Sequence, residues 1–220
     1  MNQPPTRPSA TEATDALRAA GADFHHRGWS LGTSSNYSAV LGRDPLDLLV
    51  TVSGKHKGRL SADDFVHVGA DGKPAAGDNK KSSAETMLHV VLAEAAGAGA
   101  VLHTHSVWGT LLSDRYGDAG GWAIEGYEML KGLDGITTHQ SAKYIEVFPN
   151  TQDIPTLAQQ VRGRLEDDAD PLRHGFLIRK HGLYAWGEDI DAARRHIEVL
   201  EFLFECEGRR LAWGGESVRL

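Results

Sequence analysis

A mixed or mainly antiparallel β-sheet covered by helices on both faces is the α/β class that this sequence predicts. Short strand-like runs follow one another without the intervening helices that a strictly alternating parallel sheet needs. Amphipathic helical stretches stand before, between and after those runs. The balance of 40% apolar and 24% charged residues in a 220-residue chain fills one core and is too apolar for disorder.

Taken in order, residues 1–9 (MNQPPTRPS) are Pro-rich and predicted to fray. Thr11 is the N-cap candidate for a first helix over TEATDALRAAGADFHHRGW (11–29), in which Ala13, Leu17, Ala20 and Phe24 fall near helical spacing. NYSAVLG (36–42), DLLVTVSG (47–54) and DFVHVGA (64–70) read as strands. The polar loop AAGDNKKSS (75–83) leads into a helix, SAETMLHVVLAEAAG (83–97), that Gly97 closes. AVLHTHS (100–106) is a short β-like run, and residues 107–135 are Gly-rich and ambiguous. ITTHQ (136–140) and YIEVF (144–148) look like strands. IPTLAQQVRGRLEDD (154–168) is a helix with Pro155 in its first turn. GFLIRKHGLYAWG (175–187) reads as two strands around a Gly turn, and a long closing helix starts at Ile190. No repeat or composition break divides the chain, so residues 1–220 are expected to form one domain.

The 23 basic and 30 acidic side chains leave a net charge of −7. That balance disfavours nucleic acid and anionic membranes as partners. No window approaches the roughly 20 apolar residues of a membrane span, and the first residues carry no apolar signal core. With Cys206 the only cysteine, neither a disulfide framework nor a cysteine-based zinc knuckle is available, which points to a reducing, cytoplasmic setting.

Histidine is over-represented, with 11 residues. His103 and His105 flank Thr104, and in a strand residues i and i+2 face the same side, so both rings converge on one point. That spacing suits a first-row divalent ion, although two core histidines give the same pattern. His181, at a strand end beside a glycine, is the best third ligand. Three neutral imidazoles leave an ion its full charge and an open position, which is how catalytic sites are built. Three further stretches concentrate hydroxyls, glycines and lysines: GTSSNYS (32–38), TVSGKHKG (51–58) and KKSSAE (80–85). Each offers backbone N–H groups, hydroxyls or positive charge to a phosphate, and each alone also reads as an ordinary turn or cap.

Taken together and in this order, GTSSNYS, SGKHKG, SSAETMLH, HTHS and KHGLYAWG resemble the class II aldolase/adducin family over residues 12–212. The resemblance implies a three-layer α/β/α fold around a mainly antiparallel sheet. It implies one zinc ion per subunit on His103, His105 and His181, and a homotetramer with active sites near subunit interfaces. It also implies that a phosphorylated ketose is held through Ser35, Asn36, Ser53, Gly54 and Ser83. Ala84 departs from the Ser-Ser-Glu pattern of the aldolases, which puts Ser82 and Ser83 in doubt as individual contacts. YEMLKG (127–132), FPNTQDI (148–154) and RKHGLYAWGEDI (179–190) are similar to the family's ketose-1-phosphate dehydratases. In the aldolases the acid/base corresponds to Glu85, and in the dehydratases to Glu128; this sequence has both, and Glu128 is the preferred acid/base. For an apolar end of such a substrate, Trp108, Trp122 and Met129 are nearby candidates, each explained more simply by packing. Sugar-phosphate aldolase or epimerase activity is the alternative on the same site. A non-catalytic, adducin-like interaction protein is the alternative from another class, and it has no need of three metal histidines.

Overall fold

A computed structural model of the chain describes residues 7–214. Of the tail expected to fray, residues 1–6 lie outside that range. Ser9 is placed and caps the first helix, α1 (Ala10–His26), in a capping box: its hydroxyl accepts from the Glu12 amide, and its own amide and hydroxyl donate to the Glu12 carboxylate. The cap therefore lies two residues before the Thr11 read from the sequence.

Eight strands form one sheet: β1 (Asn36–Arg43), β2 (Leu46–Thr51), β3 (Phe65–Val68), β4 (Ala100–Thr104), β5 (Gly121–Glu125), β6 (Ala142–Phe148), β7 (Gly175–Ile178) and β8 (Gly182–Gly187). Their spatial order is β3-β2-β1-β4-β8-β7-β6-β5, and every neighbouring pair is antiparallel except β6 and β7. The helices α2 (Thr86–Ala95), α3 (Val107–Tyr116), α4 (Ile154–Leu165) and α5 (Ile190–Ala212) complete the fold. Two faces of the sheet are covered. On one, Leu17 and Phe24 of α1 and Ile197, Leu200 and Phe204 of α5 pack on Tyr37, Leu102 and Leu183. On the other, Leu88 and Leu92 of α2 and Leu157 and Val161 of α4 pack on Val101, Phe176 and Tyr184. Each such buried side chain contributes about 1.5–3 kcal/mol. The result is the three-layer α/β/α arrangement with a mainly antiparallel centre.

Two local expectations are corrected. ITTHQ is not a strand: Ser141 and Gln140 donate to the carbonyl and hydroxyl of Thr138, and these local bonds turn the chain before β6 begins. The β7–β8 reversal is made not by a glycine but by Lys180, whose φ is +54°. The ambiguous stretch 107–135 resolves into α3, β5 and two 3-10 turns, over Gly117–Ala119 and Glu128–Gly132.

Strand pairing also sets what faces the middle of the molecule. β4 is central, flanked by β1 and β8, with Asn36 opposite His103 on one side and Tyr184 opposite it on the other. The loop from β2 to β3 carries SGKHKG. Asp64 anchors it, accepting from the amide and hydroxyl of Ser61, both at 2.8 Å, and pairing with Lys55 at 2.7 Å. Burial pushes the Asp64 carboxyl up, but the Lys55 and Ser61 contacts win and hold it down at about 2. Because the folded value lies below the unfolded value near 3.8, the stabilisation is present above that pH and lost as pH falls through about 2. Asp64→Asn should therefore cost about 2 kcal/mol in denaturant unfolding at pH 7, and the difference from the unsubstituted chain should shrink as pH falls from about 4 to about 2.

Candidate metal centre and adjoining cavity

His103 ends the inward-facing row of β4, and its ring is fully buried. Nδ1 donates to the Leu183 carbonyl at 2.9 Å, since a carbonyl can only accept. That leaves Nε2 as the lone-pair nitrogen, and among the described residues it has no hydrogen-bond partner. Tyr184 stacks flat on the ring, with centroids 4.0 Å apart and planes 14° from parallel. His105 lies one residue beyond the strand, held by its amide bond to the Trp29 carbonyl at 2.7 Å. His181 arrives from the three-residue turn between β7 and β8, where left-handed Lys180 aims it back. The three rings sit 4.5–5.1 Å apart between centroids, and one nitrogen from each lies within 4.8 Å of the other two.

Burial pushes the His103 ring well below the usual histidine range and the His105 ring down to about 4, with the neighbouring imidazoles adding to both shifts. Both rings are therefore neutral near pH 7 and present lone pairs. Glu85 faces them, its carboxylate oxygens 3.7 Å from His103 Nε2 and 3.4 Å from His181 Nε2. The lone pair of His103 thus faces a carboxylate oxygen with no proton between them. This arrangement fits a cation held on the three imidazoles.

A buried chain of bonds fixes the orientation of Glu85. Burial lowers His89 to about 3, so its ring is neutral and has one N–H. The Asn36 amide donates to Glu85 at 2.8 Å, which turns its oxygen toward His89 Nε2. His89 therefore donates at Nε2 and accepts at Nδ1 from the Ser38 hydroxyl, at 2.7 Å. Behind the strand, Thr104 donates to Glu201 at 3.0 Å, and burial pushes that carboxyl up to about 7. Gly182 starts β8 beside the ligands; a Cβ there would stand 2.1 Å from the Thr104 carbonyl oxygen and 3.0 Å from His103 Cε1.

Next to the histidines opens a cavity of about 300 Å³. Ser35, Asn36, Ser53, Gly54 and Ser83 line it together with Glu85, His105 and His181. Nine of the ten residues singled out in the sequence therefore sit at one place: these eight and His103. Asn36 and Ser35 are committed in part to the protein itself, Asn36 to Glu85 and the Ser35 hydroxyl to Ser30 at 2.8 Å. Ser35 has φ +72°, a strained conformation for a serine beside a site. Glu128 is the exception. It is 70% exposed, bonds Lys131 at 2.6 Å, and does not line the cavity of its own chain. The Lys131 contact holds its carboxyl below the usual range. Trp122 packs in the core against Tyr116 and Phe204, Trp108 packs against Gly208, and Met129 is partly exposed. None of the three lines the cavity.

A model of the class II aldolase and adducin N-terminal domain matches residues 15–207. The chain belongs to the class II aldolase and adducin family. Among curated members, methylthioribulose-1-phosphate dehydratase of Marinobacter nauticus is 45% identical over 196 residues, which is 89% of this chain and 92% of that protein. The protein of the same name from Pseudomonas savastanoi is 49% identical over 189 residues, 86% and 90% of the two chains. Solved structures share the fold. YgbL from Klebsiella pneumoniae superposes with a TM-score of 0.78 at 23% identity, covering 96% of this chain and 94% of that one. L-fuculose-1-phosphate aldolase from Thermus thermophilus superposes with 0.72 at 22% identity, covering 95% and 100%.

His89 bonds Asn36, Tyr184 stacks on His103, and Thr151 and Gln152 line the cavity, and the sequence alone gave none of them a role there. The signal for His89 was its place four residues after Glu85, one helical turn along the same face. Two outcomes follow from the geometry. His103→Ala should retain well under one divalent ion per chain by elemental analysis after equilibration with zinc. Gly182→Ala should lose about 3 kcal/mol of stability by thermal or denaturant unfolding, because the obstructing atom is backbone.

Proposed function

We propose that the chain is a hydro-lyase that dehydrates 5-methylthioribulose 1-phosphate to 2,3-diketo-5-methylthiopentyl 1-phosphate, a step of methionine salvage in the cytoplasm. The observation that carries this reading is the three-imidazole cluster at the edge of a hydroxyl-lined cavity. The name shared by relatives 45–49% identical over most of their length selects the reaction. We further propose one zinc ion per chain, held by His103, His105 and His181. When bound, such an ion acts as a Lewis acid toward a substrate carbonyl.

The chain's own residues supply the rest. The small-residue loops at 33–36, 51–54 and 83–84 offer hydroxyls and amides to the phosphate. Ser53 and Gly54 are placed by β2, and Ser83 by the approach to α2. Glu85, held by Asn36 and His89, fixes a carboxylate at the edge of the histidine cluster. Dehydration needs a base to take the proton at C3 and an acid to protonate the hydroxyl leaving from C4, and one carboxylate serves both steps in turn. The enol that remains becomes the diketone by ketonisation. We assign the acid/base role to Glu128. Since it stands on the surface of its own chain, it serves the cavity of a neighbouring subunit in a homotetramer. Glu85 is assigned to position the ion and substrate.

Incubation with 5-methylthioribulose 1-phosphate should release one water and the diketone. Carbon–carbon cleavage products would instead mark an aldolase, and an inverted ketose would mark an epimerase. Glu128→Gln should lower turnover by about 10²–10⁴ with zinc content unchanged. Mixing inactive Glu128→Gln with inactive His103→Ala subunits should restore part of the activity. Failure of that complementation in verified mixed oligomers would place the acid/base within the chain.

A further inference from the structure

Lys57 is the outlier among the charged residues near the cavity. Its side chain is 1% exposed, yet no carboxylate pairs with it among the described residues; Lys55 takes Asp64 instead. A lone buried ammonium is costly unless something compensates its charge. Its Nζ donates to two carbonyls, Lys55 at 2.7 Å and Thr33 at 3.4 Å. Those acceptors belong to the two loops whose residues 33–36 and 51–54 line the cavity. None of the cavity's own lining residues is a lysine or arginine.

The backbone around Lys57 is pinned from outside. α1 comes so close that a Cβ on Gly21 would stand 2.6 Å from the Lys57 carbonyl oxygen. His25 of the same helix lies against Gly58 as closely. The side chain is thereby directed inward and has little freedom to reach solvent. Burial pushes the ammonium down to about 8, with Asp64 opposing only in part, and its charge is felt at His105.

We propose that Lys57 is the buried counter-charge for the substrate's phosphate, a positioning residue that ties the two hydroxyl loops together and supplies a positive charge behind them that no side-chain carboxylate pairs with among the described residues. This inference rests on the proposed use of a phosphorylated ketose. A phosphate in the cavity completes a charge balance that the folded chain leaves open, and an unphosphorylated ketose would not. Lys57 therefore discriminates for the phosphorylated substrate by charge, while the hydroxyls discriminate by geometry.

The test uses the zinc-loaded protein and three variants, with inorganic phosphate as the binding probe. K57Q keeps a donor for the carbonyls and drops the charge, K57M drops both, and K57R keeps the charge. Calorimetry should show that phosphate binds K57Q and K57M about tenfold or more weakly than the unsubstituted chain, and K57R within a few-fold of it. With 5-methylthioribulose 1-phosphate, KM should rise by a similar factor in K57Q while kcat falls much less. Should K57M fail to fold, K57Q and K57R still decide the matter. Equal phosphate affinity in K57Q and the unsubstituted chain overturns the role of Lys57 alone, as does a fall in kcat with KM unchanged. If the unsubstituted chain neither binds phosphate nor turns over the phosphorylated ketose, the functional reading falls and this inference falls with it.

Discussion

A buried lone pair facing a carboxylate is the constraint on which the centre of this molecule depends. His103 gives its only proton to the Leu183 carbonyl, so its other nitrogen meets Glu85 with nothing shared between them. Two acceptors facing each other, one of them fully buried, are unfavourable unless a cation joins them. Much of the surrounding architecture follows from keeping that arrangement in place. β1 supplies Asn36 and Ser38, the N-cap of α2 supplies Glu85 and its first turn His89, β4 supplies His103, and β8 supplies Tyr184 and the Leu183 carbonyl. Gly182 lets the β4 backbone approach β8 closely at that point.

The neighbouring cavity uses the opposite strategy. Around the histidines, bonds are short, buried and directional; at the cavity loops, the lining side chains are small and polar. The two halves meet at Glu85, His105 and His181, which belong to both. A substrate with a carbonyl and a phosphate at adjacent carbons spans such a junction.

Much of this was legible in the sequence for identifiable reasons. The i, i+2 spacing put His103 and His105 on one side of an extended segment, although His105 lies just past the end of β4 and is held there by the Trp29 carbonyl. Turn-forming residues marked SGKHKG and GTSSNYS as loops, and the sheet collected them. The relay through His89 was less legible, because a histidine inside an apolar helix reads as core until its partners are known. Ser9 was missed as a cap because Pro8 precedes it and Thr11 offered an equally good oxygen. ITTHQ carried β-branched residues, but Thr138 used its hydroxyl locally. Glu128 exposes a different limit: its motif is clear, but the turn that carries it lies at the surface, away from the cavity of its own chain.

The left-handed Lys180 turn has a consequence for how the chain matures. His103 and His105 lie two residues apart, but His181 reaches them only through the pairing of β8 with β4, some 80 residues away along the chain. A partly folded polypeptide therefore offers an ion two donors rather than three, and holds it loosely. An ion that needs all three imidazoles would therefore bind the completed sheet rather than its precursors, and such binding would stabilise the folded chain.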